Sequence, residues 1–185
     1  MRYLAGFLLT LGLLILLIVL IFNHGGGNKV PVTQKPLVSY ANTDTITRLT
    51  IDGAIVAPEN HRQVQIEVGR NATTFEILQG YDGNVINKQI YPMTLSAYTN
   101  FLFALQHSGY TLGTTESKLK DERGYCPDGR RYIYEIEDAA GKKIEHFWST
   151  SCGGLATFKG KSSLVLDLFH AQVPNYDQLT FGLNL

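Results

Sequence analysis

The sequence predicts an α+β domain, a mainly antiparallel sheet with two helices in ββα-type units and one disulfide, preceded by a single transmembrane helix. Three observations carry that expectation. Residues 4–22 are uncharged, period-two stretches recur from Thr45 onward with two interruptions at helical spacing, and two cysteines flank the last pair of strand-like stretches. A chain of 185 residues, 44% of them hydrophobic, has room for one ordinary domain of roughly 100–200 residues. Its 16 basic and 16 acidic side chains cancel, which removes the electrostatic case for a nucleic-acid partner, and its apolar content is too rich for a disordered chain.

Residues 1–3 would be a short cytoplasmic amino terminus. Leu4 to Phe22 reads LAGFLLTLGLLILLIVLIF, with Thr10 the only polar side chain. As a helix it would be about 28 Å long, close to the roughly 30 Å hydrocarbon core of a bilayer. A cleavable signal has an apolar run of about 7–15 residues and a small-residue site after it. This run is longer and ends in Phe22-Asn23-His24, so an uncleaved signal anchor is expected. Cleavage near Gly25–Gly27 would instead release a secreted domain, such as an inhibitor. Arg2 before the span and Lys29 and Lys35 after it leave the basic-residue bias nearly balanced. The cysteines tip the orientation toward a domain outside the cytoplasm, where disulfides persist. The expected localisation is therefore the cell membrane, single-pass, with the bilayer itself as a partner through residues 4–22.

Residues 23–44 carry three consecutive glycines and two prolines, the composition of a flexible linker. An edge strand over Val30–Tyr40 is the alternative, since proline is tolerated on edges. The extracytoplasmic domain is then 45–185, with 13 basic and 15 acidic side chains well mixed along the chain.

Within it, alternation at Thr45–Ile51, Val64–Val68 and Thr74–Leu78 predicts three strands, the last two joined at Arg70-Asn71-Ala72. Asp82-Gly83 is a turn signal, and Val85–Tyr91 alternates until Pro92. Thr94 is a candidate N-cap for a helix with Leu95, Tyr98, Leu102 and Leu105 at helical spacing and Gly109 as its stop. Thr111–Gly124 is polar and reads as a surface loop. Arg131–Glu137 and Lys143–Ser149 alternate around Ala140-Gly141, and a second helix runs from Ser162 or Ser163 to about Gln172. The tail residues Leu179, Phe181 and Leu183 alternate, which suits either a terminal strand or an irregular plug.

Cys126 precedes the first strand of the second hairpin and Cys152 follows its partner. The open ends of a hairpin lie side by side, which brings the two Cα atoms within reach of a disulfide. Closing that loop would stabilise the fold by about 3–4 kcal/mol on the chain-entropy argument.

The same segment suggests one alternative chemistry. Trp148-Ser149-Thr150-Ser151-Cys152 resembles the strand-end Thr-x-Thr-Cys segment of sortase transpeptidases, and Ser149–Gly153 resembles the Ser-x-Gly-Cys segment of L,D-transpeptidases. That likeness implies a cysteine-dependent envelope enzyme. Both families place an arginine shortly after the thiol to stabilise oxyanion charge, and no Arg follows Arg131 here. Lys159 and Lys161 lack the planar two-pronged donor of arginine.

His24, His61, His107, His146 and His170 are scattered without the spacing of a zinc site, and no phosphate loop or nucleophile elbow is present. No metal, no cofactor and no catalytic set are therefore expected. Tyr132, Tyr134 and Trp148 are candidate binding aromatics if they share one face of the second hairpin. The expectation is a noncatalytic binding or cell-envelope accessory module, with an envelope protein or glycan as partner.

Overall fold

The computed structural model describes residues 35–185, so the expected membrane span at 4–22 and most of the expected linker lie outside the described residues. Among the described residues no helix is long and apolar enough to cross a membrane. The fold is α+β. Six strands, β1 (Ile46–Asp52), β2 (Arg62–Val68), β3 (Ala72–Gln79), β4 (Asn84–Pro92), β5 (Arg131–Glu137) and β6 (Lys143–Thr150), form one antiparallel sheet in the order β4-β3-β2-β1-β5-β6. Helix α1 (Leu95–Ser108) lies in the connection from edge strand β4 to β5 beside β1. Two more helices follow the sheet, α2 (Ser162–His170) and the short α3 (Tyr176–Thr180), where the sequence predicts only one.

Alternation makes the sheet two-faced. Leu49 and Ile51, Val64, Ile66 and Val68, Phe75 and Ile77, Tyr134 and Ile136, and Phe147 share one buried cluster with the inner faces of the helices. In α1 the Thr94 hydroxyl accepts from the Ala97 amide at 3.2 Å, and Gly109 ends the helix at φ 80°, a left-handed conformation that glycine adopts without strain. Tyr98, Phe101, Leu102 and Leu105 of α1 and Val165 and Phe169 of α2 are buried. Phe101 meets Phe169 edge to face at 5.2 Å, which joins the two helices over the sheet.

Two parts differ from the sequence expectation, and in a third the structure selects one of two alternatives. The compact unit begins at Lys35, and a 3-10 turn at Leu37–Tyr40 sinks Leu37 and Ala41 into the core, so the end of the expected linker belongs to the fold. Leu37 and Ala41, separated by Val38, Ser39 and the half-buried Tyr40 just after Pro36, are too short a signal for composition to register. The tail is a plug rather than a strand: Asn175, at φ 58°, turns the chain into α3, and Leu179, Leu183 and Leu185 pack half-buried against the core. The polar connection after α1 is more than a surface loop. Its Leu119 is buried with Ile133 and Trp148 on the sheet face away from the helices, and Tyr125 packs against them.

The expected disulfide is present: Cys126 and Cys152 are bonded, with Cα atoms 5.7 Å apart, across the open ends of the β5–β6 hairpin. Gly129 makes room for it, because a Cβ there would stand 2.6 Å from the Cys126 sulfur and 2.6 Å from the Ser151 hydroxyl.

Candidate functional site

The sheet face opposite the helices carries the residues that alternate with the core. Strand register turns four of them into one row. Glu67 of β2 pairs with Arg48 of β1, Arg48 with Glu135 of β5, and Glu135 with His146 of β6. Opposite charges at facing positions of neighbouring strands attract, and here the signs alternate across four strands. Arg48 Nε donates to Glu67 at 2.8 Å and its Nη2 donates to Glu137 at 2.9 Å. Burial works against the Arg48 charge, but hydrogen bonds to Glu67 and Glu137 outweigh it and hold the guanidinium charged.

His146 sits at the end of the row with a carboxylate on each ring nitrogen. Its Nδ1 is 2.8 Å from Glu135 and its Nε2 is 3.2 Å from Glu122, which the connection after α1 delivers to the sheet. The hydrogen bonds to Glu122 and Glu135 raise the imidazole to about 9 against a desolvation cost. Burial alone would raise the Glu135 carboxyl, yet His146 and Lys143, both bonded to it, hold it at about 2. The same contest lowers Glu122, burial being outweighed by His146. At neutral pH His146 is therefore a fixed cation with both nitrogens occupied. It has no lone pair to serve as a general base, and carboxylates on opposite ring nitrogens cannot converge on one ion.

This row ends at a groove. Thr114, Thr115, Glu116, Leu119 and Lys120 form one wall, β6 from Lys143 to His146 forms the other, and Thr157 closes one end around a cavity of 470 Å³. Glu145 lines it too, and burial raises its carboxyl. Concave shape beside strongly perturbed titratable groups makes this the candidate site. Smaller cavities lie at the β2–β3 turn (240 Å³) and beneath the carboxyl-terminal plug (210 Å³), the latter beside His170.

The candidate aromatics do not make a common surface. Tyr134 lies opposite Phe147 and Tyr132 opposite Ser149, so both point to the helix side, whereas Trp148 lies opposite Ile133 on the other face. Tyr134 and Trp148 are fully buried. The Trp148 indole donates to the Leu119 carbonyl at 2.7 Å, and Tyr125 covers its ring at 4.7 Å. Cys126 and Cys152 are joined to each other, so the oxidised domain offers no thiolate for the chemistry of the transpeptidase-like segment.

Arg48, Glu122, Glu135 and Glu137 are the functional candidates that sequence reasoning misses. Their signal was the alternation of like-signed residues, Glu135 and Glu137, on a strand whose core face is apolar. It becomes specific only once the register sets Arg48 and His146 beside them. Compared with known protein families, characterised proteins and solved structures, the chain finds no match.

Proposed function

We propose that this protein is a noncatalytic recognition module of the cell envelope, held at the membrane by residues 4–22 with its domain outside the cytoplasm. The groove beside β6 is its binding site. One observation carries the reading: the titratable group best placed for chemistry there, His146, is an imidazolium clamped between Glu122 and Glu135. Such a group contributes fixed charge and rigidity, the properties of a recognition surface, and cannot cycle protons near neutral pH. The disulfide supports export, since a bridge of this kind persists in oxidising compartments.

Expression in a cell with an intact envelope, followed by membrane fractionation and protease treatment from outside, tests the placement. The expected result is a membrane-bound chain whose intact mass retains residues 1–27, whose cysteines resist alkylation until reduced, and whose domain is removed by external protease. A soluble mature chain starting near Asn28 would show that the amino-terminal segment is a cleaved signal and remove the anchor from the proposal. A free, alkylatable Cys152 in the exported protein would return the thiol chemistry to consideration.

A further inference from the structure

Beyond Thr150 the chain turns and comes back along β6, but only briefly. The Thr157 and Phe158 amides both donate to the Trp148 carbonyl, at 3.1 and 2.9 Å, and the Trp148 amide donates to the Thr157 hydroxyl at 2.8 Å. The returning segment then leaves the edge: the Lys159 amide donates to Leu112 and the Lys161 amide to Ser108. Gly160 permits this departure, because a Cβ there would run into the Gly109 carbonyl and the Phe158 ring.

Both main-chain groups of Trp148 thus face outward from the β5–β6 ladder. In an antiparallel pair the facing direction repeats every second residue, so the amide and carbonyl of His146 face outward as well, into the groove. Among the described residues no main-chain bond from outside the strand ladder reaches either of them. At Lys143–Glu145 a bulge leaves Ile144 without a β5 partner, which loosens the same edge. The far wall, Thr114–Lys120, stands off across the cavity instead of pairing with β6. The groove therefore has the form of a sheet from which one short strand is missing, about 13 Å long at roughly 3.3 Å per residue.

We propose that the groove binds an extended polypeptide segment, which adds to β6 as a strand between Lys143 and His146 and carries a Lys or Arg side chain toward Glu116 and Glu145. This rests on the groove being the recognition site proposed above and names its ligand class. Strand addition supplies affinity through the main chain and selectivity through flanking side chains. Among the groove residues without an ion pair in the described structure, Glu116 and Glu145 outnumber Lys120, so the uncommitted charge favours a basic ligand. Ile144, exposed on β6, offers apolar contact.

The test is selection from a random peptide display library against the oxidised full-length chain in detergent micelles. Enriched peptides are then remade with N-methyl groups on alternate residues. The expected peptides contain Lys or Arg, slow amide hydrogen exchange at His146, lose about tenfold or more in affinity on N-methylation of the bonded residues, and lose as much on Thr115→Trp, which fills the groove from its exposed wall. A urea midpoint unchanged in Thr115→Trp shows that the loss comes from the groove and not from unfolding.

Peptides that bind without slowing exchange at His146 and tolerate N-methylation at every alternate position would overturn strand addition, and so would a selection that enriches none. If envelope glycan fragments still perturb the groove amides in either case, the recognition site itself stands. If neither peptides nor glycans perturb them, both proposals fall.

Discussion

At one edge of the sheet, β4 presents nine residues with side chains mostly in solvent, including Ile90, and a single cross-strand ion pair from Lys88 to Glu76 at 2.7 Å. At the other edge, β6 is covered at Trp148 by the returning segment at Thr157–Phe158, and the tryptophan side chain there is buried. An exposed edge is a template for unwanted pairing, and strands guard against it with charges, bulges or covering segments. β4 uses a lysine and a bulge at Ile86, where Ile77 and Leu78 pair with Asn87 and Val85. β6 uses a cover that stops short. The uncovered part of β6, unlike β4, is walled on its far side, which makes it a groove where β4 is only a surface.

Substitutions should affect the two edges unequally. Trp148→Ala removes the largest fully buried side chain together with its bond to the Leu119 carbonyl, and an expected loss of about 3–5 kcal/mol would be read as a lower urea midpoint. Ile90→Ala on β4, an exposed site, should stay within about 0.5 kcal/mol. Comparable losses at the two positions would break the contrast. Replacing both cysteines by serine should cost about 3 kcal/mol by freeing the hairpin ends that Cys126 and Cys152 join, and should speed amide exchange in β5 and β6 more than in β3 and β4.

A third expectation concerns pH. The His146 imidazole is raised from its ordinary 6.5 to about 9 in the folded protein, so the stability it adds is fully present below the unfolded value and is lost as pH rises through about 9. The urea midpoint should therefore fall between pH 7 and pH 10 in the native chain and fall less in His146→Gln. A difference of the same size in both proteins would remove His146 from the charge row. The smallest effect belongs to β4: Lys88→Ala breaks an exposed pair and should move the urea midpoint least of all, with the change vanishing in high salt.

The sequence made β1, β2 and β3 legible because one face of each is buried, and Leu49–Ile51, Val64–Val68 and Phe75–Ile77 keep strict alternation. The disulfide was legible for a related reason, since the cysteines bracket two alternating stretches joined by a glycine turn. Elements held by a single apolar residue were not. Leu37 and Leu119 each sit in polar or proline-containing surroundings, and only tertiary contact reveals them as core. The aromatic candidates misled because parity within each strand does not fix parity across the hairpin: the register sets Trp148 beside Ile133, on the face opposite Tyr134. The charge row was hidden for the same reason, as its members lie on four strands and one connection and meet only through pairing.

The claim on which the recognition reading depends is that His146 is a fixed imidazolium, and heteronuclear NMR of its ring tests this directly. The account predicts both ring nitrogens protonated at pH 7, a titration midpoint near 9, and a drop toward the ordinary value in Glu122→Gln. A midpoint near 6.5 in the native protein, with one nitrogen unprotonated at pH 7, would contradict it and would leave a histidine free to act as a base at the mouth of the groove.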